Sequence, residues 1–177
     1  MGKIAELQSK QDTVLKKVFE IEKPDIVNHH AAQISVPESV KDPIHDADIN
    51  IKGLLNLLKY SVKFSVKKFI FISCAGVYGD AKNFPTPETE ILCPFSPYAI
   101  AKFCSEYYIN FYKNHYGIDY TILRYANIYG PRQNSYGEAG VVSIFINSLK
   151  KGDIPIIYHY PENFDGMTRD YCYVKDV

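Results

Sequence analysis

Lys67-Lys68-Phe69-Ile70-Phe71-Ile72-Ser73 is the stretch of this 177-residue sequence that decides its fold. Its unbroken apolar run is typical of a parallel strand that is buried on both faces. Outward from it, helix-like and strand-like segments alternate: helical patterns at 12–22, 50–65, 98–116 and 141–149, and strand patterns at 25–29, 120–125 and 171–174. This alternation predicts an α/β fold with a doubly wound parallel sheet, in which ligands bind at the carboxyl ends of the strands.

Composition excludes several function classes. The 20 Lys and Arg residues balance the 20 Asp and Glu residues, so net charge gives no support for a nucleic acid or membrane partner. No apolar run reaches transmembrane length, and the N-terminus lacks the apolar core of a secretory signal. The four cysteines lack the paired spacing of zinc sites. We therefore expect a cytoplasmic protein with reduced thiols and no metal.

The segment Ser96-Pro97-Tyr98-Ala99-Ile100-Ala101-Lys102 points to chemistry. Residues i and i+4 share a helix face, so the Lys102 ammonium can lie beside the Tyr98 phenol. A fixed cation favours the phenolate and lowers its pKa. Such a pair can take a proton from a sugar or alcohol hydroxyl while a nicotinamide takes the hydride. The alternative is a core tyrosine beside a solvated lysine.

Local context separates this pair from two others. The spacing Tyr-x-x-x-Lys also starts at Tyr78 and Tyr171, but the first lies in a predicted loop and the second in a predicted strand. Tyr98 alone follows a helix-start signal, with Ser96 as N-cap and proline in the first turn. Gly117 is the predicted stop of that helix.

Small and polar residues follow the first strand pattern. His29 and His30 are adjacent, but neighbours in a strand point to opposite faces, which favours structural histidines over a metal site. Ala31 and Ala32 then allow a flat ligand to lie against the backbone.

Two further strand ends carry polar side chains. Ser73 is interpreted as a hydrogen-bond donor to a substrate oxygen or as a turn former, since the Gly-x-Ser-x-Gly elbow of a hydrolase nucleophile is missing. Asn127 and Arg132 suit a phosphorylated or hydroxylated ligand. The alternative for Asn127 is a turn residue.

Several motifs occur together and in one order: Lys23-Pro24-Asp25-Ile26-Val27, Ala31-Ala32-Gln33, Asn50-Ile51-Lys52-Gly53, Val77-Tyr78-Gly79, Ser96-Pro97-Tyr98 with Lys102, Leu123-Arg124-Tyr125-Ala126-Asn127, Tyr129-Gly130-Pro131-Arg132-Gln133, Gly137-Glu138-Ala139-Gly140-Val141, and Thr168-Arg169-Asp170 through Asp176-Val177. With these motifs the chain resembles the extended short-chain dehydrogenase/reductase family, also described as NAD-dependent epimerases and dehydratases. Within that family it most resembles nucleotide-sugar epimerases of the UDP-glucose (UDP-galactose) 4-epimerase type.

The resemblance implies a site and a reaction. Tyr98 matches the catalytic base and Lys102 its partner, with Ser73 or Cys74 at the position of the family's assisting hydroxyl. The implied contacts to a Rossmann-bound NAD are Ala31, Ala32, Gln33, Asn50, Ser73, Tyr98, Lys102 and Tyr125. The implied contacts to the diphosphate of a UDP-sugar are Asn127 and Arg169. The implied reaction removes hydride from sugar C4 and returns it to the other face.

The loop before Val77-Tyr78-Gly79 discriminates among relatives. Dehydratases of the family carry an acid-containing triplet there, whereas this chain has Cys74-Ala75-Gly76, which favours epimerisation. The family's usual Ser or Thr falls on Cys74. A thiol is a weak donor, so either Ser73 substitutes for it or turnover is reduced.

The sequence contains no Gly-x-x-Gly-x-x-Gly or Gly-x-Gly-x-x-Gly motif to seat a pyrophosphate. We therefore expect residues 1–177 to form a partial Rossmann-type NAD-binding domain that lacks the first strands and glycine-rich loop. The start of a substrate-binding part is expected at about 127–170, truncated before its end, and the chain alone should be weakly active or inactive.

Alternative functions stay open at this point. One is a non-catalytic remnant of an epimerase, and another is an epimerase for a UDP-uronic acid or a UDP-N-acetylhexosamine. By resemblance, a homodimer is expected through the helices near 50–64 and 98–115.

Overall fold

The computed structural model describes residues 2–134, 140–161, 164 and 168–177. Its helices are α1 (Gly2–Glu22), α2 (Val36–Lys41), α3 (Pro43–Ala47), α4 (Gly53–Lys63), α5 (Pro97–Tyr116) and α6 (Val141–Lys151). Its strands are β1 (Ile26–His29), β2 (Lys68–Cys74), β3 (Asp119–Tyr125), β4 (Asn127–Tyr129) and β5 (Tyr171–Tyr173). The chain divides into two compact units, Met1–Arg124 and Tyr125–Val177.

The first unit is built on a sheet with the strand order β1-β2-β3. β1 and β2 run parallel, with Ile26 opposite Lys68. The N–H of Asp119, the first residue of β3, donates to the main-chain oxygen of Lys67, so β3 starts at the same edge as β2. The predicted α/β architecture with a parallel sheet is confirmed, and β2 is its central strand.

The core of the first unit forms where α1, α4 and α5 supply apolar side chains to one face of β2. Its buried members are Phe19, Leu54, Leu58, Tyr60, Val66, Phe69, Phe71, Ile109 and Ile118. Full burial of one such aliphatic or aromatic side chain is worth about 1.5–3 kcal/mol. Along β2, alternate residues are buried and those between them, Ile70 and Ile72, are half-buried. Only one face of this strand is therefore fully buried, not both as expected.

Helix α5 begins and ends where the local signals predicted. Ser96 has an extended backbone, and its Oγ accepts a hydrogen bond from the N–H of Ala99 at 3.2 Å. Pro97 occupies the first turn, where its missing N–H costs nothing. Gly117 ends the helix in the left-handed region with a φ of 75°, which a residue without Cβ adopts readily.

The helix predicted from residue 50 begins earlier. α3 continues through a π-helical turn, Asp48–Lys52, into α4. Asn50 lies in this turn and is buried. π-Helical turns are rare in proteins, and those that do occur often lie at functional sites.

The second unit contains α6 and a parallel pair of short strands, β4 and β5. α6 confirms the predicted helix and extends it to Lys151, and β5 confirms the predicted strand near 171. The motif residues 137–139 lie outside the described residues. Among the helices described, none is long and apolar enough to cross a membrane.

Candidate active site

Tyr98 and Lys102 lie on the first two turns of α5, on one face of that helix. The Lys102 ammonium lies 5.7 Å from the centroid of the Tyr98 ring and 4.8 Å from that of Phe71. Lys102 is only 4% exposed, and its Nζ donates a 2.8 Å hydrogen bond to the main-chain oxygen of Ile72. The alternative of a solvated lysine is thereby excluded. The structure brings a phenol and a buried cation together beside the end of β2.

The pKa of the phenol departs from the expected direction. Burial raises the pKa of Tyr98 well above its ordinary value, and Cys74 and Asp46 act in the same direction when they are ionised. Burial also lowers the pKa of the Lys102 ammonium. The pKa of Tyr98 is therefore raised and not lowered as expected, because loss of hydration disfavours the charged phenolate.

The segment after β1 is held by a network of amides. The N–H of Gln33 donates to Oδ1 of Asn50, and Nδ2 of Asn50 donates to the main-chain oxygen of Gln33, both at 3.0 Å. Oδ1 of the buried Asp46 accepts from both side-chain amides, at 3.0 and 2.9 Å. These contacts fix the loop that contains Ala31 and Ala32, the two residues expected against a dinucleotide. Asp46 was not found from the sequence.

The same region fixes the start of α5. Oγ of Ser39, a buried residue of α2, accepts a 3.2 Å hydrogen bond from the main-chain N–H of Tyr98. This bond pairs one of the N–H groups that the first turn of a helix leaves without an intrahelical partner.

His29, at the end of β1, is half-buried beside aromatic side chains. Its ring packs near the rings of Phe69 and Phe71, each at 6.0 Å between centroids. Burial, assisted by the positive charges of Lys102 and His30, lowers the pKa of His29 to about 4. No group of side chains suited to a metal ion occurs among the residues that the structure describes.

Ser73 and Cys74 at the end of β2 have different surroundings. The hydroxyl of Ser73 is buried and donates a 2.6 Å hydrogen bond to Glu106 on α5. Burial raises the pKa of the Cys74 thiol, whose ionisation would in turn raise the pKa of Tyr98. In this structure the Ser73 hydroxyl donates to Glu106, so its predicted role as a donor to a substrate oxygen or as a contact to NAD stays a prediction.

Gly76 lies beside the first turn of α5, where a Cβ would make only ordinary contacts. A Cβ at this position would be 3.4 Å from Sγ of Cys74 and 3.6 Å from Cβ of Ala99. The turn Ala75–Tyr78 thus packs against the first turn of α5, next to Tyr98.

A second feature that sequence reasoning missed is the ion pair between Glu106 and Arg124. Nη2 of Arg124 lies 2.7 Å from Oε2 of Glu106. Glu106 follows Lys102 by four residues on the same helix face, and Arg124 is a cation within an otherwise apolar strand pattern. Those two facts are the signals that could have revealed it.

Three predicted site residues belong to the second unit. Asn127 donates through its main-chain N–H and its Nδ2 to the main-chain oxygen of Asp170, at 3.1 and 3.0 Å. Arg169 precedes that residue and is exposed, with Nη1 donating to the main-chain oxygen of Thr168. The structure thus brings Asn127 and Arg169 into one neighbourhood.

Tyr125 is the third predicted site residue of the second unit, and burial raises the pKa of its hydroxyl.

Comparisons with known proteins agree on one family. The NAD dependent epimerase/dehydratase family matches residues 3–177. A putative UDP-glucose 4-epimerase of Methanocaldococcus jannaschii is 43% identical over 94% of this chain and 54% of its own length. The crystal structure of a Thermotoga maritima UDP-glucose 4-epimerase with UDP-glucose is 48% identical, with a TM-score of 0.87 over 93% of this chain and 53% of that one.

A Thermus thermophilus UDP-glucose 4-epimerase in complex with NAD is 39% identical, with a TM-score of 0.81 over 93% of this chain and 54% of that chain. The chain thus spans about half the length of the relatives that it matches.

Proposed function

Because the chain belongs to the NAD-dependent epimerase/dehydratase family, we propose that it carries the proton-transfer centre of a UDP-glucose/UDP-galactose 4-epimerase. The observation that carries this proposal is the pair Tyr98 and Lys102 on one face of α5, with the ammonium buried and bonded to the end of β2. The proposed substrate class is inferred from relatives that are named UDP-glucose 4-epimerase.

The donor set of the first unit fits the nicotinamide half of NAD. Ala31 and Ala32 have small side chains, so a planar ligand can approach the main chain that Asn50 holds through Gln33. The Lys102 ammonium has three N–H donors, of which one serves the main chain of β2. These residues, with Tyr98 and Tyr125, would hold the cofactor. NAD, when bound, accepts hydride from sugar C4 and returns it.

Tyr98 is the residue that moves the proton. Its phenolate takes the proton of the C4 hydroxyl as the C4 hydride leaves, which gives a 4-keto sugar. The neutral phenol gives the proton back when hydride returns to the opposite face, so atoms and electrons balance over one cycle. We infer that the Lys102 ammonium favours the phenolate, because an adjacent cation stabilises the charged form of a phenol. Asn127 and Arg169 would hold the substrate diphosphate.

The turn after β2 favours epimerisation over dehydration. Elimination of water needs an acid close to the sugar, and Cys74-Ala75-Gly76 supplies none. Of the buried carboxylates nearby, Asp46 accepts from two amides and Glu106 is paired with Arg124.

Two alternatives have specific support. A thiol at position 74, where the family carries a hydroxyl, favours a slow enzyme or a non-catalytic remnant. A 38% identical UDP-N-acetylglucosamine 4-epimerase structure from Methanobrevibacter ruminantium, with a TM-score of 0.83, favours a UDP-N-acetylhexosamine as substrate. A UDP-uronic acid has no such support from the residues described.

We also propose a homodimer through the helices near 50–64 and 98–115. The outer face of α5 exposes apolar side chains one helical turn apart, among them Tyr107, Tyr108 and Phe111. Light scattering after size exclusion tests this proposal, and Tyr107→Glu with Phe111→Glu should give a monomer.

The test of the function is turnover by the protein expressed from its full reading frame. We expect interconversion of UDP-glucose and UDP-galactose, measured by chromatography of the nucleotide sugars, with bound NAD quantified in the same preparation. UDP-N-acetylglucosamine and UDP-glucuronic acid are assayed in parallel to rank the substrates. Folded protein that contains NAD but converts none of these sugars would contradict the epimerase proposal and favour the remnant.

A further inference from the structure

Glu106 and Arg124 join α5, β3 and the end of β2 through one ion pair. Nε and Nη2 of Arg124 lie 3.0 and 2.7 Å from Oε1 and Oε2 of Glu106, so the contact is bidentate. The side chain of Glu106 is 8% exposed and that of Arg124 is 22% exposed. Paired hydrogen bonds of this kind hold a planar guanidinium in one orientation.

Both side chains have further partners around the turn that follows β2. Oε1 of Glu106 accepts a 2.6 Å hydrogen bond from the hydroxyl of Ser73. Nη1 of Arg124 donates to the hydroxyl of Tyr78 at 2.9 Å and to the main-chain oxygen of Glu88 at 3.3 Å. The guanidinium also lies over the Tyr78 ring, 4.9 Å from its centroid. The ion pair therefore holds both the end of the strand and the turn after it.

The same face of α5 carries the proposed proton-transfer residues. Tyr98, Lys102 and Glu106 follow one another at intervals of four residues. Lys102 donates to the main chain of Ile72, and Glu106 accepts from the side chain of Ser73. Consecutive turns of the helix thus bind consecutive residues of the strand, and the strand end cannot shift along α5 without breaking these bonds.

We propose that Glu106 and Arg124 are positioning residues for the reaction. The pair sets the place of the strand end that carries Cys74 relative to Tyr98 and Lys102, and it acts through the strand end and the turn rather than on substrate. The inference rests on the proposed function. Since a misplacement of about 1 Å can cost about 10²-fold in rate, a fixed strand end has a direct effect on turnover.

The first test is kinetic and uses the protein expressed from its full reading frame. Arg124→Lys keeps the charge but loses the planar two-bond contact, and Glu106→Gln keeps the shape but loses the charge. We expect kcat to fall by about tenfold to 10²-fold in both variants, with KM and bound NAD within about threefold of wild type. Rates are normalised to the folded fraction, measured by circular dichroism.

The matched control is Asp119→Asn. It breaks an exposed ion pair, 3.2 Å between Lys113 and Asp119, that also joins α5 to β3. We expect this variant to keep the wild-type kcat. A normalised kcat equal to wild type in Arg124→Lys and Glu106→Gln overturns the positioning role.

The second test does not depend on epimerase activity. The alkylation rate of Cys74 by iodoacetamide is measured by peptide mass spectrometry, with Cys172 of the second unit as the internal reference. We expect faster alkylation of Cys74 in Arg124→Lys and Glu106→Gln but not in Asp119→Asn. An unchanged Cys74 rate overturns the positioning role, whereas a selective rise in a protein without turnover supports the positioning and counts against the proposed function alone.

Discussion

Nζ of Lys102 donates a 2.8 Å hydrogen bond to the main-chain oxygen of Ile72, and this bond ties the helix that carries Tyr98 to the central strand. The cation is buried, so its interaction with a neighbouring phenol is screened less than it would be in water. Burial nevertheless raises the pKa of Tyr98. We therefore propose that the Lys102 cation is needed to make the phenolate of Tyr98 accessible.

Removal of the Lys102 cation should greatly reduce turnover without unfolding the protein. In Lys102→Met we expect kcat to fall by about 10²-fold or more, the usual size of a proton-transfer contribution. The free energy of unfolding should fall by about 1–3 kcal/mol, because the main-chain oxygen of Ile72 loses its hydrogen-bond donor. Both are measured in the protein expressed from its full reading frame, by the epimerase assay and by urea denaturation.

The control for this variant is Lys67→Met, which removes an exposed partner of Asp25. It should leave kcat unchanged, because exposed ion pairs are worth about 0–1 kcal/mol and Lys67 precedes β2, at the opposite end of that strand from Cys74. Wild-type turnover in Lys102→Met would show that another group activates the phenol.

A hydroxyl at position 74 should increase turnover. The thiol of Cys74 is a weak donor, and burial raises its pKa, so it stays protonated near neutral pH. The neighbouring Ser73 hydroxyl already donates to Glu106. We expect Cys74→Thr to raise kcat by about tenfold or more, as for the gain of one well-placed donor.

Cys93→Ser, at an exposed position outside the proposed site, is the matched control and should have no effect on turnover. If Cys74→Thr and wild type have equal kcat, position 74 does not donate to the substrate.

The sequence predicted those parts of the fold that are encoded locally. The ends of α5 follow from Ser96, Pro97 and Gly117, because capping is satisfied within a few residues. The orientation of Ser73 could also have been predicted, since in a strand it shares its face with Phe69 and Phe71.

Other features of the site depend on tertiary structure and have no local signal. The Glu106–Arg124 pair forms only when β3 lies beside β2, and Asp46 meets Gln33 only when the loop after β1 folds over α3. The pKa of Tyr98 depends on how much water the folded chain removes, and spacing between residues does not report this.

The stability of the first unit should depend on His29 in mild acid. The pKa of His29 is about 4 in the folded chain and about 6.5 when unfolded, so below pH 6.5 the unfolded state binds more protons. The contribution of His29 to stability is present above pH 6.5 and is lost as the pH falls towards 4, by at most about 3 kcal/mol.

The variant His29→Phe keeps an aromatic ring and cannot titrate. Urea denaturation at pH 7.5 and pH 4.5 should show a smaller loss of unfolding free energy in the variant than in wild type. The same loss in both proteins would show that His29 is not buried in its neutral form.

The most direct measurement is the activity of Tyr98→Phe in the protein expressed from its full reading frame. This change removes one hydroxyl and keeps the ring and its place on α5. We predict that interconversion of UDP-glucose and UDP-galactose is lost, while isothermal titration calorimetry still detects UDP-glucose binding at close to the wild-type affinity. Turnover retained at the wild-type rate would contradict the assignment of Tyr98 as the base.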